Sequence, residues 1–123
     1  MFRCCVSSLS RIIKKLLRAT LYSLQGLRAT YKNELAFRLE SWLSLIVVPT
    51  ALLCGKTPLE KSILLIVWIW VPIIELINSA IESVVNRIGA EYHPLSGQAK
   101  DMGSAAVLLA LILAIFTWIF LLV

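Results

Sequence analysis

Glu75, Asn78 and Glu82 interrupt an apolar stretch that runs from Ser62 to Val85. An acid placed in hydrocarbon costs roughly 2.5–3.5 kcal/mol on insertion scales, so such residues are kept for what they do. Their spacing groups them. Seven residues at about 100° each return Glu82 to within roughly 20° of Glu75, and Asn78 falls between them. One polar stripe therefore runs along one face of an apolar helix.

Further polar residues fall outside that stretch. Glu34 closes a basic N-terminal segment, Tyr92 and His93 lie in a polar connector, and Lys100 and Asp101 stand before the last apolar run. Carboxylates from several segments plus a lysine suit a magnesium-bound phosphate, because Mg²⁺ is held by one or two carboxylates together with phosphate oxygens and water. The lysine offsets phosphate charge, and a further carboxylate can take a proton from an attacking hydroxyl. The same residue types serve ion coupling or hydrogen bonding between helices equally well, and spacing alone leaves the three readings open. Gly55-Lys56-Thr57 mimics the end of a phosphate-binding loop, but Thr50 stands where that motif needs its first glycine, so the segment reads as a turn.

The elements that must carry these residues are helical. Residues 9–30 pattern as an amphipathic helix: Leu9, Ile12, Ile13, Leu16, Leu17, Leu24 and Leu27 are apolar, and Arg11, Lys14, Lys15 and Arg18 recur at helical spacing on a basic face. Such a helix lies in the membrane interface. Three transmembrane helices are expected at 35–54, 62–85 and 102–123. The first is completed by letting Arg38 and Glu40 reach back to the surface. Pro49 and Pro72 are candidate kinks, the latter just before Glu75. Gly55 to Lys61 forms a turn, and Asn86 to Lys100 a polar connector. In the last span Ala106, Ala110 and Ala114 repeat every fourth residue, a stripe for close helix packing.

Bulk properties agree with a single-domain, all-α membrane protein. The chain has 123 residues, 59% of them hydrophobic, and a net charge of +5; its mean hydropathy is +0.87, far above that of a soluble domain. Basic residues crowd the N-terminal segment, with Arg87 and Lys100 between the second and third spans and only Lys56 and Lys61 between the first and second. The positive-inside rule then puts the N-terminus and second connector in the cytoplasm and the C-terminus opposite. Anionic headgroups or phosphates are the expected partners, and no nucleic-acid motif is present. Three cysteines, Cys4, Cys5 and Cys54, make no disulfide framework and read as free thiols.

The string Glu75-Leu76-Ile77-Asn78-Ser79-Ala80-Ile81-Glu82 resembles the signature of the prokaryotic integral-membrane diacylglycerol kinases. Ala99-Lys100-Asp101-Met102-Gly103-Ser104-Ala105-Ala106-Val107 resembles that family's second block, with His93 at a matching place between them. Asn33-Glu34-Leu35-Ala36-Phe37-Arg38 looks like its surface-helix block. The resemblance runs from about Lys15 onward. It implies a surface helix followed by three transmembrane helices, assembled as a homotrimer with shared active sites in the bacterial inner membrane. The implied reaction moves the γ-phosphate of ATP, with Mg²⁺, to the hydroxyl of diacylglycerol and gives phosphatidic acid. Glu75 would be the base on that hydroxyl, and Glu34 and Glu82 the metal ligands. Asn78, Lys100 and Asp101 would line the nucleotide and transfer site, Lys15 and Tyr22 would contribute from the surface helix, and Tyr92 and His93 would lie near the base or ribose.

Four positions depart from the family pattern. Asn86 stands in place of an aspartate, Gln98 of a basic residue, Leu24 of an aromatic and Lys15 of an arginine. None touches Glu75, Asn78 or Glu82, so they bear on nucleotide affinity and subunit contacts rather than on catalysis. Undecaprenol, the acceptor of Gram-positive relatives, is the alternative substrate. A small transporter or assembly subunit is the alternative outside the family, and it would set its charges at the bilayer midplane.

Overall fold

The structure is a computed structural model that describes residues 2–89, 91 and 93–123, with side chains from residue 11 onward. Four helices account for nearly all of it: α1 (Phe2–Asn33), α2 (Leu35–Cys54), α3 (Pro58–Ile88) and α4 (Pro94–Leu122). The chain divides into two units, Met1–Asn33 and Glu34–Val123.

The first unit is α1 alone. It carries no proline and has Lys32 in its last turn, where the charge complements the carbonyl end of the helix dipole. Arg11, Lys14, Lys15, Arg18, Ala19 and Tyr22 line one open groove along it. Ile12, Ile13, Leu16 and Leu17 are exposed.

In the second unit α3 packs on both α2 and α4. All three helices are long and apolar enough to span a membrane. At 1.5 Å per residue the 20 residues of α2 cover about 30 Å, matching the hydrocarbon core, while α3 (31 residues) and α4 (29) exceed it by roughly 15 Å. The helices run past two of the expected span boundaries. The helix that carries the second span begins at Pro58, ahead of the expected Ser62, because Thr57 caps it: its hydroxyl accepts from the Glu60 N–H at 3.2 Å, and the Glu60 carboxylate accepts from the Lys56 N–H at 2.8 Å. Thr57-Pro58-Leu59-Glu60 is a capping-box string with proline at the first helical position, where its missing N–H costs nothing. The expected connector Asn86–Lys100 is also mostly helix. Only Gly89 to His93 separates α3 from α4, because the imidazole Nδ1 of His93 accepts from the Leu95 N–H at 3.3 Å and Pro94 starts the helix. α2 and α3 continue through Pro49 and Pro72.

The α3–α4 contact is built from small and branched residues. Val67 and Val71 meet Ala110 and Ala114, with Ile63, Ile74, Leu111 and Trp118 packed around them. The Trp118 indole N–H also donates to the Leu64 carbonyl at 3.3 Å. The small stripe thus serves contact within the chain, and its register differs from expectation: Gly103, Ala110 and Ala114 are buried while Ala106 is exposed. Between α2 and α3 the Trp68 indole N–H donates to the Ser44 hydroxyl at 2.9 Å. Cys54 is a free, exposed thiol.

Candidate active site

The polar stripe lies on the inward face of α3. Glu75, Asn78 and Ser79 are 6–7% exposed, and Glu82, one turn further on, is half-buried. Both α2 and α4 pack on α3. The hydroxyls along the stripe are satisfied locally, since Ser79 donates to the Glu75 carbonyl at 3.0 Å and Ser83 to the Ser79 carbonyl at 2.8 Å. That frees the side chains of Glu75, Asn78 and Glu82 for other work. The Asn78 amide donates to Glu82 Oε1 at 3.1 Å, fixing which way the carboxamide points. Asn78 Oδ1 is buried and accepts no hydrogen bond.

Asn78 is held from the other side by α4. A methyl group on Gly103 would collide with Asn78 Oδ1. Glycine at residue 103 is therefore a matter of close approach rather than of backbone conformation. Gly103→Ala should push the carboxamide aside and lower turnover, on the order of 10²-fold for an ångström-scale misplacement. A folded Gly103→Ala protein with wild-type turnover would refute the coupling.

Glu34 sits in extended backbone between α1 and α2, and its carboxylate makes no capping hydrogen bond. It lies in electrostatic range of Glu75, as does Glu82. Glu34 and Glu82, from two segments, thus both act electrostatically on Glu75. Glu40 joins them from α2. It was expected to reach back to the surface beside Arg38, but it is 9% exposed. The signal was readable: Phe37, Glu40, Ser44 and Ala51 share one face by helical spacing, and Phe37 and Ala51 are buried while Ser44 bonds Trp68.

At the far end of the stripe the Lys100 ammonium donates to Asn86 Oδ1 at 2.8 Å. Asn86 is two turns beyond Asn78, so it continues the stripe onto the end of α3. A neutral amide anchors the lysine without cancelling its charge. Asp101 beside it is exposed. His93 is the α4 cap described above, and Tyr92 lies outside the described residues. Lys15 and Tyr22 share a groove on α1. Among the described residues no three His, Cys, Asp or Glu side chains form a ready-made metal cage.

The sequence profile of the prokaryotic diacylglycerol kinases matches residues 21–122. The chain belongs to that family. Its similarity to individual members is high over most of both chains. A protein named diacylglycerol kinase from Escherichia coli strain K12 is 49% identical over 108 residues, covering 88% of each chain. One of the same name from Haemophilus influenzae is 47% identical over 103 residues, covering 84% of this chain and 87% of its own. A third, from Pseudomonas aeruginosa, is 43% identical over 106 residues and 86% of each. The family match takes in every site residue named above except Lys15, which precedes it.

Proposed function

We propose that this chain is an ATP- and Mg²⁺-dependent diacylglycerol kinase of a bacterial inner membrane. The observation that carries the reading, given the family, is the buried Glu75 and Asn78 on a helix long enough to span, with the Asn78 amide on Glu82 and Glu34 in electrostatic range of Glu75. Glu75 takes the proton of the diacylglycerol hydroxyl. That oxygen attacks the γ-phosphorus, the bond to the β,γ-bridging oxygen breaks, and ADP leaves with the electron pair. Asn78, held between Glu82 and Gly103, presents its carboxamide to the transferring group. Lys100, tethered to Asn86, supplies positive charge for the nucleotide, and Asp101 completes that side.

The donor set suits a hard cation, since it is all oxygen and carries negative charge. Glu34 and Glu82 would hold Mg²⁺, which when bound offsets charge on the phosphates. By the family resemblance Lys15 and Tyr22 would contribute to nucleotide binding, and each basic side chain of α1 near an anionic leaflet would contribute about 1 kcal/mol. By the family resemblance His93 would contribute near the base or ribose. Three copies assemble into a trimer.

Purified protein given labelled ATP and diacylglycerol in mixed micelles should yield phosphatidic acid, and omission of Mg²⁺ should abolish it. In sealed vesicles, external ATP should be used only where the cytoplasmic face is outward. Folded protein that transfers phosphate to undecaprenol alone, or to no lipid, overturns the reading.

A further inference from the structure

Asn86 carries the polar stripe past its acids. Eleven residues at about 100° each return it to within roughly 20° of Glu75, and four residues set it about 6 Å along the axis beyond Glu82. It lies in the last turn of α3, and Lys100 lies in the second turn of α4. The lysine side chain crosses between them, and its ammonium donates to Asn86 Oδ1 at 2.8 Å. Only Gly89 to His93 link the two helices, and the His93 imidazole with Pro94 fixes where α4 starts. The backbone of Lys100 is thus held, and its flexible four-carbon stem is pinned at the tip. Asn86 is exposed and Lys100 half-buried, so the ammonium is open to a solute. An exposed pair of this kind adds little to stability. What it decides is where the charge stands.

The chemistry of the partner matters as much as its place. A carboxamide oxygen takes one of the three ammonium protons and leaves the full charge and two donors for an anion. A carboxylate at residue 86 would cancel that charge. The place is set by helix geometry: Asn86 stands about 16 Å along the axis from Glu75. Side chains on one helix lean the same way, so their tips keep much of that separation. A triphosphate chain is shorter than this, so a lysine tied to Asn86 does not sit on the phosphate being transferred at Glu75. We propose that Asn86 is a positioning residue that holds Lys100, its charge uncancelled, over the diphosphate part of the nucleotide that ATP and ADP share. Asn86 itself touches no phosphate. It acts through Lys100, so its effect falls on nucleotide affinity.

The inference rests on the kinase reading and deepens it, and the test separates the two. The full chain in detergent micelles is titrated with Mg-ADP and with the Mg²⁺ complex of a non-hydrolysable ATP analogue. Asn86 is exposed, so its substitutions leave the packing intact. Asn86→Leu removes the tether and should raise Kd for both nucleotides about threefold to fivefold. In the Lys100→Met background the same substitution should leave Kd within about twofold, a coupling that a merely structural role would not produce. Asn86→Asp keeps a tether but cancels the charge, and should weaken both nucleotides at least as much as Asn86→Leu. Unchanged affinity in Asn86→Leu, or an equal loss with and without Lys100, would overturn the proposal by showing that Asn86 does not act through the lysine. Wild-type affinity in Asn86→Asp would overturn it by showing that neutrality has no part. Weaker binding of the ATP analogue alone, with Mg-ADP unaffected, would overturn it by moving the lysine to the γ-phosphate. Phosphatidic acid formation by wild type is measured on the same preparation. A wild type that binds both nucleotides and phosphorylates no lipid defeats the kinase reading, while the binding cycle still judges Asn86.

Discussion

Glu75→Gln should abolish measurable lipid phosphorylation while the protein still binds Mg-ATP. The amide keeps the size of the acid but cannot accept the hydroxyl proton, and a positioned base contributes about 10²–10⁴-fold. The buried position of Glu75 makes the substitution structurally mild, since a neutral amide replaces a carboxylate under pressure from Glu34, Glu40 and Glu82. Glu82→Gln should behave differently. Glu82 accepts from the Asn78 amide and is assigned to the metal, so its loss should raise KM for Mg-ATP before it lowers kcat. Nucleotide binding and turnover measured on both variants decide the matter. Equal loss of binding with equal residual rates would show that the two acids do not divide the work.

Two inactive variants should recover activity when their subunits are mixed. Glu34 reaches Glu75 within one chain, so it is a poor candidate for sharing. Asp101 is a better one, because it is exposed at the start of α4 while the stripe is buried. If each site of a trimer draws Asn78 from one chain and Asp101 from the next, random mixing of Asn78→Ala with Asp101→Ala subunits gives mixed rings in about three of four cases. Each mixed ring has one intact site in three, so recovery should approach about a quarter of wild type, a consequence of cyclic symmetry. The same variants as pre-formed, non-exchanging trimers should stay inactive. No recovery after verified mixing would mean that every chain carries its own complete site.

Much of this organisation was legible in the sequence. The spans follow from apolar length, and α2 ends where expected, at Cys54. The Glu75–Glu82 stripe follows from helical spacing, which the backbone imposes whatever surrounds it. The capping string at Thr57 and the His93-Pro94 start were present too, but a search for apolar runs overlooks polar residues that lengthen helices past the hydrocarbon. Glu40 is harder to place, because a charge near the end of a span has two physical outcomes, reaching the surface or turning inward. Only the face shared with Phe37 and Ala51 chooses between them. The Gly103–Asn78 approach and the Lys100–Asn86 bond join residues of different helices, and no local pattern encodes how far apart two helices lie.

The central position of α3 has an evolutionary corollary. It packs on both neighbours and bears the stripe, so its inward residues answer to two selections at once, one for assembly of the spans and one for chemistry. A substitution there can rarely be neutral for both. The outer face of α4, where Leu108, Leu109, Ile112 and Phe116 are exposed, answers to neither inside the chain. Change in acyl-chain preference, or in adaptation to membranes of different thickness, therefore has its easiest route through α4, leaving the helix that carries the reaction untouched.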